Sequence, residues 1–243
     1  VRITPVPDLP DRPLLLVDVD GVLALFNLAA DPPAGVWHLI EGFPYYLATG
    51  TAALLHEAAE RFELVWCTGW EDRANDHLPR LLGTPGPLPV VYFDRNPGRG
   101  NAHWKLAAID AFAAGRPVAW IDDALNDECV AWAAARTAAG VPTLLVQTEP
   151  HVGMVAEHLH DLLRFAEVAT DLVGIDVERR RELDVGDVVA PEVDVHQPGD
   201  GVSRVGVLVV LDALHERRGA VLHAADRAAQ LAVAGSVPVL RCR

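Results

Sequence analysis

The sequence predicts an α/β fold: a doubly wound, Rossmann-like parallel sheet of about five strands with helices on both faces. Three observations carry this expectation. Short apolar runs at residues 14–19, 63–68, 90–93, 118–122 and 143–148 are too short for helices and are bounded by turn residues. Longer stretches with apolar residues at helical spacing separate them. The hydrophobic content of 51% is enough for a large core, and with only 6% aromatics the filling falls mainly to Ala, Val and Leu.

The elements follow in order. Leu14-Leu15-Leu16-Val17 reads as a strand buried on both faces, because it is apolar without alternation. A short helix is expected near Leu23, and residues 36–47 read as a small hairpin flap. Residues 51–61 form an Ala/Leu-rich helix before the second strand. The next helix, 71–82, opens on acidic residues that suit a helix N-terminus, and Pro79 is expected to kink it or end it early. Helices 102–114 and 126–139 stop at Gly115 and Gly140, the residue type that tolerates the left-handed conformation after a helix end. A last helix is read over residues 152–168.

In such sheets the site lies beyond the carboxyl ends of the strands. The first strand runs into Asp18 and Asp20, followed by Gly21. Residues two apart on a strand point to one side, so both carboxylates are expected to face one site, and Gly21 lets the chain turn after them. The second strand ends in Thr68-Gly69, a hydroxyl beside free backbone amides at a helix start, which is a phosphate cradle. The fourth ends in Asp122-Asp123. Lys105 stands at the start of the third long helix and is the one lysine among 20 basic residues. A lysine kept in so arginine-rich a chain is one whose compact ammonium is needed.

Phosphoryl transfer through an aspartyl-phosphate requires this set. One carboxylate attacks phosphorus and a second moves the proton of the leaving oxygen. A magnesium ion on oxygen ligands offsets the charge, and a hydroxyl, amides and an ammonium hold the transferring group. With Asp18-Val19-Asp20-Gly21-Val22, Cys67-Thr68-Gly69, Lys105 and Ile121-Asp122-Asp123 in this order, residues 13–165 resemble the haloacid dehalogenase (HAD) superfamily. The resemblance implies Asp18 as nucleophile and magnesium ligand. It implies Asp20 as general acid/base, with its carbonyl on the metal, and Thr68 and Gly69 as the phosphate binders. Lys105 would stabilise nucleophile and phosphoryl group, Asp122 and Asp123 would hold magnesium, and Asp127 would stand behind them. Dehalogenases of the superfamily lack the carboxylate two residues after the nucleophile, so Asp20 points to phosphate esters.

Residues 64–71, 103–106, 120–123 and 148–153 are similar to the HAD domain of multidomain bacterial RNA-repair proteins. That resemblance implies a second reading, a phosphatase of nucleic-acid ends. A third is a catalytically silent HAD-like binding or scaffold protein. The chain carries 34 acidic against 20 basic residues, a net charge of -14, which disfavours a polynucleotide partner. A phosphorylated substrate, small molecule or macromolecule end, is the expected partner.

The stretches before residue 63 and between residues 93 and 105 are too short for a full cap domain. A minimal cap implies an open site, for a large substrate or for a small one enclosed by a second copy in a homo-oligomer. Arg95 and Arg99 are read as solvated loop residues, and Trp70, Trp104, Trp120 and Trp132 as packing residues. Cys67, Cys129 and Cys242 have no metal-ligand spacing and are expected to be free thiols of a reducing compartment. No uncharged apolar stretch of about 18 residues occurs, so no membrane span is expected. The first residues lack a basic segment leading into an apolar one, so a cytoplasmic protein is expected. The reading divides the chain into a phosphohydrolase domain over 13–168 and an extension over 169–243 that carries no motif.

Overall fold

A computed structural model of the 243-residue chain describes residues 12–83, 87–94 and 101–182, with side chains to Thr170. Its centre is a four-stranded parallel sheet in the order β5-β1-β6-β7. The strands are β1 (Leu14–Val17), β5 (Glu63–Trp66), β6 (Val118–Asp122) and β7 (Thr143–Gln147). A smaller antiparallel sheet, in the order β2-β4-β3, is built from β2 (Ala24–Leu25), β3 (Gly35–Ile40) and β4 (Phe43–Ala48). The helices are α1 (Thr51–Ala59), α2 (Asp72–Leu82), α3 (Leu106–Ala113), α4 (Asp127–Ala138) and α5 (Ala156–Glu182).

Alternation along the strands divides the core in two. Leu15 and Val17 of β1 pack with Trp66, Ile121 and Val146 against Leu55 of α1, Leu78 of α2 and Phe165 of α5. Leu14 and Leu16 pack with Val65, Trp120 and Leu145 against Ile109 of α3 and Ala133 of α4. Helices therefore cover both faces, and all four residues of β1 are buried, as a strand with no polar face requires.

Several elements differ from their expected form. The run at 90–93 contributes, among the described residues, a single parallel bridge from Val90 to Trp66 in place of a strand. No helix forms near Leu23; residues 21–23 make one turn, closed by the Leu23 and Ala24 amides donating to the Val19 carbonyl at 2.9 Å, and lead into β2. Pro79 neither kinks nor ends α2, which runs on to Leu82; proline lacks one donor, and the helix's packed face of Ala74, Leu78 and Leu82 continues past it. The segment before α3 opens as a single 3-10 turn, His103–Lys105, and α3 starts at Leu106. The last helix starts at Ala156, after the turn at residues 150–152, and continues through Glu182. The boundary read near residue 168 thus falls within α5, and the rest of the extension lies outside the described residues.

The hairpin read over residues 36–47 is β3–β4, turning at Glu41 and Gly42, both with positive φ. Glu41 at its tip is tied to α2 by an ion pair with Arg73 at 2.9 Å and a contact with His77 at 3.3 Å. At its other end Gly153 passes so close to the turn after β1 that a Cβ there would lie 2.5 Å from Leu25 Cδ2 and 2.6 Å from the Val22 carbonyl oxygen. No helix among the described residues is long and apolar enough to cross a membrane.

Candidate active site

Parallel pairing brings the carboxyl ends of β5, β1 and β6 side by side. Beyond the last paired residues, the Cys67 amide donates to the Val17 carbonyl at 2.9 Å and the Asp18 amide donates to the Ile121 carbonyl at 3.1 Å. Asp18, Cys67-Thr68 and Asp122 therefore leave one sheet edge as neighbours, although up to about a hundred residues separate them in the chain. The sheet order also puts the point where the connections change sides at this edge. From β1 the chain crosses to β5 on one side, then returns to β6 on the other, so the connections diverge on either side of β1.

Lys105 rises from its 3-10 turn into the middle of this edge. Its ammonium donates to Asp18 Oδ2 at 2.9 Å, Asp122 Oδ2 at 2.7 Å and the Cys67 carbonyl at 3.0 Å. These are three acceptors for three donors, which satisfies an ammonium that is only 4% exposed. The other oxygens of the two carboxylates take backbone amides: Val19 to Asp18 Oδ1 at 2.7 Å and Ala124 to Asp122 Oδ1 at 2.9 Å. Each oxygen keeps a further lone pair.

One ammonium faces three carboxylates, because Asp123 joins Asp18 and Asp122, with ligand oxygens of all three within 4.8 Å of one another. Burial, and then the surplus of negative charge, favour the neutral form of two of these carboxyls. Burial pushes the Asp122 carboxyl up to about 7, the charge of Asp18 adds to this, and Lys105 opposes it. Burial and then Asp18 push Asp123 up to about 6. Burial also works against the Lys105 charge, but Asp18 and Asp122 together outweigh it and hold Lys105 above the ordinary lysine range. Both partners of the Lys105–Asp122 pair shift upward, Asp122 through burial and then the charge of Asp18, Lys105 through its two anions.

Asp18, Asp122 and Asp123 fit a magnesium ion. All three donors are hard oxygens, they converge from two adjacent strand ends, and three carboxylates less one ammonium leave a surplus of two charges, which a divalent cation matches. The close fit extends to the backbone: Gly21, at φ +74°, lies directly against the Asp123 carboxyl.

Asp20 stands near enough to Asp18 and Lys105 for both charges to act on its carboxyl. β1 ends at Val17, and the turn that follows carries Asp20 out to the solvent-exposed rim, where it bridges to Ala24. There its Oδ2 accepts the indole N–H of Trp70 at 2.9 Å. Surrounding protein raises the Asp20 pKa above the ordinary carboxylate value; the Trp70 hydrogen bond opposes this and the charge of Asp18 adds to it.

Thr68 is fully buried, and its Oγ1 accepts the Trp70 amide at 3.3 Å, which shapes the turn into α2. Gly69 is exposed on that turn, and Asp127 is exposed in the first turn of α4. Trp120 is fully buried, whereas Trp104 and Trp132 are half-buried. Cys67 and Cys129 are buried free thiols, and Cys67 serves the site through its carbonyl. Cys242, Arg95 and Arg99 lie outside the described residues.

Two contributors carry no motif of their own. Trp70 reads from sequence as packing and does pack, but it also holds Asp20. Thr148, buried at the end of β7, donates its hydroxyl proton to the Gly21 carbonyl at 2.9 Å, while its amide donates to the Asp122 carbonyl at 3.2 Å. It thereby joins the turn after the first aspartates to the strand carrying the last ones. The signal that could have marked it is a polar residue where an apolar strand stops. No family model matches the chain, and no curated protein matches it.

Proposed function

We propose that this protein is a magnesium-dependent phosphatase of the HAD type, which hydrolyses a phosphomonoester through an aspartyl-phosphate on Asp18. The observation that carries the reading is Lys105 held between Asp18 and Asp122, with Asp123 beside them, at the carboxyl edge of a parallel sheet. The doubly wound topology read from the sequence belongs to this proposal.

The steps assign a role to each residue. A carboxylate oxygen of Asp18 attacks phosphorus, the bond from phosphorus to the ester oxygen breaks, and Asp20 gives that oxygen a proton. Asp20, now a carboxylate, takes a proton from water as the water oxygen attacks phosphorus, and the bond to Asp18 breaks to release inorganic phosphate. The raised pKa of Asp20 suits the first, proton-giving role. Lys105 holds Asp18 in place, and the backbone amides of Thr68 and Gly69 would meet phosphoryl oxygens. A magnesium ion on Asp18, Asp122 and Asp123 would supply the positive charge that lets an anionic nucleophile approach an anionic ester.

The test compares the protein with Asp18→Asn on p-nitrophenyl phosphate, phosphorylated metabolites and 5′- and 3′-phosphorylated oligonucleotides, with magnesium and with chelator. Hydrolysis that requires magnesium and falls by about a thousand-fold or more in Asp18→Asn is the expected result. Equal rates in the two proteins would overturn the reading.

A further inference from the structure

The Trp70 indole N–H has one partner, Asp20 Oδ2, at 2.9 Å. An indole nitrogen only donates, so Oδ2 must accept in both charge states of Asp20. When Asp20 is neutral, its carbonyl oxygen is the better acceptor for the indole N–H, so the proton is favoured on the other oxygen, Oδ1. We propose that Trp70 is the positioning residue of the acid/base: it fixes which oxygen of Asp20 carries the transferred proton and holds that oxygen in one orientation. This rests on Asp20 being the proton donor of the proposed phosphatase.

The setting of Trp70 supports a positioning role. The ring is 5% exposed, too enclosed to stack on a substrate. Tyr45 of β4 meets it edge-on, with centroids 4.7 Å apart, and the Arg73 guanidinium lies 5.1 Å from its centroid. Arg73 is itself tied to Glu41 at the hairpin tip. From below, the Trp70 amide is bound by Thr68 Oγ1. The indole is thus held by the hairpin, by α2 and by the phosphate-side turn, while Asp20 stands at a solvent-exposed rim where a free carboxylate would rotate. Holding it in one rotamer removes the entropy of finding the reactive one.

Proton donation matters most when the leaving oxygen is a poor one. For Trp70→Phe, which keeps a ring but loses the N–H, kcat on an alkyl phosphate should fall by about 10- to 100-fold. On p-nitrophenyl phosphate, whose leaving group needs little protonation, the fall should stay under about threefold. KM should hold for both. Equal losses on the two substrates, or no loss on either, would overturn the proposal. Asp18→Asn in the same assay separates this from the parent reading: if it keeps full activity, the phosphatase reading has failed instead. Should Trp70→Phe not fold, the indole N–H resonance of Trp70 in Asp20→Asn replaces it. That resonance should move while those of the other five tryptophans stay; an unmoved resonance would overturn the proposal.

Discussion

A side chain at Gly21 would strike the Asp123 carboxyl, so a backbone position after the first strand limits where a carboxylate after the sixth can stand. Gly21 also has φ +74°, which costs an L-residue strain whatever the space. Gly21→Ala should lower stability by about 1–3 kcal/mol and displace Asp123. Thermal unfolding with and without magnesium checks both effects: the melting temperature falls, and the rise on adding magnesium shrinks.

Among the described residues, Lys105 is the cation paired with two buried carboxylates, Asp18 and Asp122. Lys105→Met leaves those charges uncompensated and should cost about 3–5 kcal/mol in denaturant unfolding near neutral pH. The cost should lessen in acid, where the carboxylates protonate. Lys105→Arg should restore little, because a planar guanidinium cannot reach the same three acceptors in so enclosed a space.

The raised pKa values of Asp122, about 7, and Asp123, about 6, set the sign of a pH effect without metal. Between the ordinary carboxylate value of 3.8 and these values the folded protein binds more protons than the unfolded one. Unfolding free energy then decreases as pH rises through that window. The metal-free protein should therefore be less stable at about pH 8 than at about pH 5, and magnesium should stabilise it more at the higher pH. Asp123→Asn should raise metal-free stability at about pH 8 while weakening the response to magnesium. Melting curves across pH, with chelator or magnesium, test each statement.

Thr148→Val keeps the shape of the side chain and strips the Gly21 carbonyl of its buried donor. A loss of about 1–3 kcal/mol is expected, with a drop in kcat as the turn carrying Asp20 loosens. Denaturant unfolding and steady-state rates on an alkyl phosphate measure the two.

How much of this was legible in the sequence varies by residue. Four strands of the parallel sheet and five helices were readable because continuous apolar runs and helical spacing are local signals. The clustering of Asp18, Asp122 and Asp123 followed from the same pattern, since parallel strands put their carboxyl ends on one edge, and Lys105 reaches that edge from its 3-10 turn. The run at 90–93 has strand-like composition, but whether it pairs depends on the sheet edge beside it, and only one bridge forms.

By itself the sequence determined the α/β alternation, the strand-end carboxylates and the single lysine. Tertiary structure alone decided that Asp20 stands exposed at the rim, that Trp70 takes its Oδ2, and that Thr148 ties Gly21 to β7. The physical reason is range. Apolar periodicity and turn chemistry act over a few residues. A hydrogen bond across 50 or 127 positions exists only once the sheet has fixed which strand ends are neighbours.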